Sequence, residues 1–152
     1  MDIAEFLDLA VELETQISKL YELVADLSGD PPIASRLKAI AAEEINHANT
    51  IRHGKAYYEK FPELFSGINM DEKEAQAGVE ELMSFLAALG RTQIPLVDSL
   101  KKLLAFEERF ERVHIATSMK ITEPSLKQLF ATLTKTDQSH ILILRGLIES
   151  FV

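Results

Sequence analysis

The sequence predicts an all-α fold, a four-helix bundle with a long, partly helical crossover between the second and third bundle helices. Three observations predict it. Apolar residues recur at helical spacing along almost the whole chain, and the short alternating runs and hairpin turns of β-structure are absent. Two pairs of long helical stretches are separated by about thirty residues, a connection that a bundle with short up-and-down loops does not need.

The first helix is expected from Asp2 to Leu27, because Ile3, Phe6, Ala10, Leu13, Ile17, Leu20 and Val24 form one stripe before Ser28-Gly29-Asp30-Pro31-Pro32 breaks it. A second helix runs from Ile33 to Lys60 and ends at Phe61-Pro62. The segment Ser66-Gly67-Ile68-Asn69 reads as irregular, and Asp71 caps a crossover helix that reaches Leu89. Its stripe of Val79, Leu82, Met83, Leu86 and Leu89 packs on the bundle or on a second subunit. After Gly90-Arg91-Thr92-Gln93, Pro95 fits a first-turn position of a helix extending to Lys120. Thr122 with Pro124 opens the last helix, which continues nearly to Val152.

At 152 residues and 47% hydrophobic content, the chain has the size of one domain, residues 1–152. A net charge of -8 without Lys/Arg clusters argues against nucleic acid and anionic membranes as partners. With no cysteine, disulfides, thiolate zinc sites, iron–sulfur clusters and cysteine nucleophiles are excluded, so any metal must sit on oxygen and nitrogen. The start, MDIAEFLDLA, lacks the basic and apolar regions of a secretion signal, and no apolar run approaches the roughly 20 residues of a membrane span. A cytoplasmic location is the expectation.

Several charged residues fall on the apolar faces. Glu14 lies between Leu13 and Ile17, and Glu107 among Leu103, Phe106 and Phe110. Glu44 and His47, three apart, share the face of Leu37, Ile40, Ala48 and Ile51, while Asp137 and His140 share that of Phe130, Leu133, Ile141 and Leu144. The separations 107 − 14, 137 − 44, 140 − 47 and 114 − 21 are all 93. Leu13 with Phe106, Ile17 with Phe110, Leu20 with Val113, Leu37 with Phe130 and Ile40 with Leu133 keep the same offset, as a repeat of two helical hairpins would. The repeat also selects Glu44 and Glu107 over their neighbours Glu43 and Glu108, which map onto Thr136 and Thr15.

Burying four carboxylates together without compensation costs several kcal/mol each. Four carboxylates and two neutral imidazoles carry −4, which matches two divalent cations, and oxygen-plus-imidazole ligation suits iron or manganese. One carboxylate from each of two helices and an acid–His motif from each of the other two is the di-metal arrangement of carboxylate-bridged bundles.

Glu14-Thr15-Gln16 with Tyr21 seven residues on, the motifs Glu44-Ile45-Asn46-His47 and Asp137-Gln138-Ser139-His140, and the long crossover resemble the rubrerythrin branch of the ferritin-like superfamily over nearly the whole chain. The resemblance implies a ferritin-like bundle holding two iron ions, with manganese or a mixed pair as the alternatives. It implies bridging roles for Glu44 and Asp137, terminal carboxylates from Glu14 and Glu107, and imidazole ligands from His47 and His140. It further implies a non-haem di-iron oxidoreductase that reacts with hydrogen peroxide or dioxygen, takes electrons from an external donor and forms a homo-oligomer, a dimer first. Iron oxidation and storage, or a metal-stabilised module without turnover, are the alternatives.

The sequence departs from that family in three places. Asp137 stands where the family has Glu, shortening the reach by roughly 1.5 Å. Phe110 stands where rubrerythrins carry an additional carboxylate, and no cysteine-ligated rubredoxin domain supplies electrons. Tyr21 and His114 each have two readings, a satisfied core side chain or a hydrogen-bond partner of a ligand carboxylate. His53 reads as solvated.

Overall fold

A computed structural model describes residues 2–65 and 72–151. Five α-helices account for nearly all of them: α1 (Ile3–Leu27), α2 (Pro31–Lys60), α3 (Glu72–Arg91), α4 (Leu96–Lys120) and α5 (Pro124–Glu149), with a 3-10 turn at Pro62–Phe65 and no strand among the described residues. The all-α expectation holds.

Most helix ends have a local cause. Asp2 precedes α1 in a reciprocal cap: its carboxylate accepts from the Glu5 amide at 2.8 Å, and Glu5 accepts from the Asp2 amide at 3.3 Å. Gly29, at φ 65°, turns the chain after α1. The second helix begins at Pro31, two residues earlier than expected, because Asp30 caps it through the Ile33 amide at 3.2 Å. Pro31 and Pro32 then sit in the first turn, where a missing N–H costs nothing.

Helix α3 runs past Leu89 to Arg91, while the expected cap Asp71 and the segment 66–69 lie outside the described residues. Pro95 takes the cap position of α4 instead of its first turn. Glu123, not Thr122, caps α5, its carboxylate accepting from the Leu126 amide at 2.7 Å.

The helices form a bundle in which α1 packs most extensively on α2 and α4 on α5, with smaller α2–α5 and α1–α4 contacts closing the ring. The offset-related stripes meet inside it: Ile17, Leu20, Leu37, Ile40, Phe110, Phe130 and Leu133 are buried, and Val113 is partly so.

Helix α3 lies mainly on α1. Its inner face is Ala75, Gly78, Leu82 and Leu89, with Val79 and Leu86 half-buried. Met83, expected in that stripe, points outward and is 48% exposed. The helix is turned so that its small residues face the bundle, where a Cβ on Gly78 would lie 3.6 Å from Leu13 and 3.9 Å from Phe110. Arg109 pairs with Glu74 and Glu81, and Lys102 with Glu81 at 3.2 Å, tying α3 to α4. Exposed pairs of this kind contribute about 0–1 kcal/mol each, so they orient α3 more than they stabilise it. No described helix is long and apolar enough to cross a membrane.

Leu20→Ala, which empties a fully buried position on α1, is expected to cost about 2–5 kcal/mol in urea unfolding. Leu142→Ala, at a position 69% exposed on α5, should change stability by less than about 0.5 kcal/mol in the same assay.

Candidate metal centre

Seven ionisable side chains project into the bundle from four helices: Glu14 from α1, Glu44 and His47 from α2, Glu107 and His114 from α4, and Asp137 and His140 from α5. None is more than 6% exposed. On α2 the placement is a matter of turn geometry, since Glu44 and His47 stack on one face and Leu37, Ile40, Ala41, Ala48 and Ile51 bury that face. Leu133, Ile141 and Leu144 do the same for Asp137 and His140 on α5. Glu43, by contrast, is exposed and Glu108 half-buried, as the repeat requires.

Two groups each bring three ligand atoms within 4.8 Å of one another: Glu14, Glu44 and His47, and Glu44, Glu107 and His140. Glu44 belongs to both and divides its oxygens between them. Its Oε2 lies 3.1 Å from His47 Nδ1, and its Oε1 lies 2.8 Å from His140 Nδ1. His47 Nδ1 is also 3.5 Å from Glu14 Oε2, and His140 Nδ1 is 3.4 Å from Glu107 Oε1.

Among the described residues, Glu14 Oε2, Glu44 Oε1, Glu107 Oε2 and His140 Nδ1 are buried and find no hydrogen-bond partner. Glu44 Oε1 and His140 Nδ1 lie 2.8 Å apart without meeting hydrogen-bond geometry. Unpaired buried polar atoms cost about 1–3 kcal/mol each, more when charged. Three convergent oxygens and one imidazole nitrogen left in that condition suit a bound cation.

Asp137 departs from the expectation. It is buried, at 1% exposure, but belongs to neither triad, because its Oδ2 lies 2.5 Å from His114 Nδ1. A side chain one methylene shorter than Glu stays within reach of His114 on the neighbouring helix. The structure thus brings together Glu14, Glu44, His47, Glu107 and His140, with Asp137 one imidazole removed.

The terminal carboxylates have their own partners, related by the repeat. The Tyr21 hydroxyl donates to Glu107 Oε1 at 2.6 Å, and His114 Nε2 lies 3.2 Å from Glu14 Oε1. Each half of the chain therefore supplies a side chain that supports the other half's carboxylate. Of the two readings open for Tyr21 and His114, the structure shows the one that touches the cluster.

Glu43, which the repeat pairs with Thr136 and not with an acid, nevertheless places its Oε2 2.5 Å from His140 Nε2, holding the outer edge of that ring. Only adjacency to Glu44 marked it. A carboxylate can only accept, so His140 Nε2 donates and Nδ1 faces the carboxylates of the cluster.

Burial would lower His114, but the Asp137 charge and its hydrogen bonds to Asp137 and Glu14 push it up to about 10. Burial likewise opposes a charge on His140, and Glu107 and Glu43 outweigh it, raising it to about 9. Burial raises Asp137 to about 6 against the pull of His114. Burial and the charges of Glu107 and Glu14 push Glu44 well above the carboxylate range, whereas hydrogen bonds to Glu44, His114 and His47 overcome burial at Glu14 and hold it low. Burial and the Glu107 charge keep Tyr21 a neutral donor. Without a cation between them, these groups share protons.

Two openings flank the cluster. A narrow cavity of about 10 Å³, close to the lower limit for one water-sized molecule, lies between α1, α3 and α4. Phe6, Ala10, Leu13 and Phe110 wall it, and Glu14 and His114 stand at its polar end. On the opposite side an open groove of about 470 Å³ between α2 and α5 is lined by Glu43, Asn46, His47, Lys135, Thr136 and Ser139 among others.

Fold and site together define a helical-bundle protein with buried carboxylate–imidazole groups that can hold metal ions. The chain matches no protein-family model, no curated protein and no solved structure.

Glu44→Ala is expected to abolish uptake of both equivalents of Mn(II) or Fe(II), measured by metal analysis after dialysis, because Glu44 serves both triads. Glu107→Ala should remove only one. Metal uptake at pH 7 should release protons, since a His140 raised to about 9 is protonated there until a cation displaces the proton. Affinity should accordingly rise with pH up to about 9. Calorimetry in buffers of different ionisation enthalpy checks the release.

Proposed function

We propose that the chain is a ferritin-like, rubrerythrin-like non-haem di-iron oxidoreductase that reduces hydrogen peroxide or dioxygen with electrons from an external donor. The observation that carries this reading is the pair of triads joined by Glu44, with three carboxylate oxygens and one imidazole nitrogen left unpaired among them. Oxygen and imidazole donors of this kind suit iron or manganese. When bound, a pair of iron ions supplies two electrons to the oxidant, one from each ion.

The residues of the chain do the rest. Glu44 would contribute an oxygen to each position, with Glu14 and His47 completing one and Glu107 and His140 the other. Tyr21 and His114 fix the orientation of the Glu107 and Glu14 carboxylates, so the cluster does not rearrange each time its charge changes. The apolar walls of the α1/α3/α4 cavity admit a small uncharged molecule beside Glu14 and His114 and exclude bulk water. His114, with both ring nitrogens on carboxylates, holds a proton at that end of the cavity. Each turnover consumes the two electrons of the iron pair, and this reading assigns their return to an external donor.

One observation favours a second reading, a metal-stabilised module without turnover. Asp137, placed as a ligand by the repeat, is engaged by His114 instead. Stopped-flow oxidation of the ferrous-loaded protein by peroxide separates the two. The oxidoreductase reading expects peroxide-dependent oxidation of about two irons per chain, lost in Glu44→Ala. Metal binding with no peroxide- or oxygen-dependent oxidation would leave only the structural role. A small oligomer in solution, the dimer included, fits the oxidoreductase, whereas a shell of many subunits would point to iron storage.

A further inference from the structure

We propose that Glu43 makes the two metal positions unequal, so that a divalent transition cation fills the Glu44/Glu107/His140 position before the Glu14/Glu44/His47 position. The inference rests on the two-metal reading above and extends it to the order of filling.

The first observation is the contact itself. Glu43 is 53% exposed, yet its Oε2 reaches across from α2 to the fully buried His140 on α5, 2.5 Å from Nε2. A carboxylate accepting from the outer N–H of a ligand imidazole fixes the tautomer and ring orientation. It also makes the inner nitrogen a stronger donor.

The second observation is the missing counterpart. The offset of 93 that relates His47 to His140 relates Glu43 to Thr136. Thr136 cannot supply a charge, and its hydroxyl donates to the Thr132 carbonyl of its own helix at 3.3 Å. Among the described residues, His47 meets carboxylates only through Nδ1, at Glu14 and Glu44. Its ring borders the α2/α5 groove together with Glu43 and Thr136, whereas His140 is fully buried and reaches that side only through Glu43.

Both rings contribute one nitrogen to a triad containing Glu44 and one terminal Glu. The triads match in ligand type, and Glu43 is a difference directly behind a ligand. Acting through His140, it is a positioning residue.

The test is a titration of the metal-depleted protein with Mn(II), followed by calorimetry and electron paramagnetic resonance. The wild type is expected to bind in two resolved steps, giving an isolated Mn(II) signal up to one equivalent and a spin-coupled signal only beyond it. Glu43→Gln keeps the shape and removes the charge. It should weaken the tighter step roughly 10- to 100-fold, so that the steps merge and coupling begins with the first additions. Thr136→Glu should tighten the weaker step. Far-UV circular dichroism of the metal-depleted Glu43→Gln protein should match the wild type in helical content, which separates the effect from misfolding.

Two steps that remain unchanged in Glu43→Gln, or two indistinguishable steps in the wild type, would overturn the order of filling and leave the two-metal reading standing. A folded wild type that takes up no Mn(II) and no Fe(II) would overturn both.

Discussion

The bundle is organised around one constraint: four carboxylates sit in a low-dielectric interior and must be neutralised there. Coulomb repulsion at these separations grows as water is excluded, and removing an ion from water costs several kcal/mol even after relaxation. His114 answers part of the charge by standing between Glu14 and Asp137. Tyr21 answers another part with a hydrogen bond to Glu107. What they leave is concentrated on Glu44, which has a charged neighbour on each side and an oxygen without a partner. Protons and cations are the two available neutralisers, and they compete for the same atoms.

The apolar core follows from that constraint. Leu7, Leu20, Leu37, Leu100, Leu103 and Phe130 are completely buried, which offsets the cost of the polar centre and holds the helices so that its carboxylates and imidazoles cannot swing into solvent. Rigid placement matters because a cluster of like charges relaxes outward unless packing prevents it. Helix α3 adds to this by covering the α1 side with Ala75 and Gly78, small enough for close approach, and with the buried Leu82, which keeps water away.

Much of this was legible in the sequence, because helical periodicity and a constant offset constrain which face a residue occupies. Glu44 could be preferred to Glu43, and Glu107 to Glu108, since each preferred acid has an offset partner suited to the core. Faces, however, do not determine what a side chain reaches. Asp137 lies on the face expected of it, and its shorter chain meets His114 first. Glu43 lies on the outer face expected of it, and its longer chain bends back over His140. Met83 and the first turns of α2 and α5 differ from the periodic expectation for a related reason: caps and helix rotation depend on local hydrogen bonds and small residues, which periodicity does not weigh.

The two halves of the chain differ most where they touch the cluster. Leu20 and Val113 or Ile17 and Phe110 exchange one apolar side chain for another, which repacking absorbs. Glu44 with Asp137, Tyr21 with His114, and Glu43 with Thr136 exchange length, charge or hydrogen-bonding capacity, which repacking cannot absorb. The consequences add along one direction. With Asp137 drawn to His114, a single carboxylate is shared between the triads, and the imidazolium that draws it stands beside the apolar cavity. With Glu43 on His140, the other side of the cluster is linked to an open polar groove. A symmetric duplicate would present the same surface to both sides. This one places a narrow, largely apolar cavity on one side of the cluster and a wide, polar groove on the other.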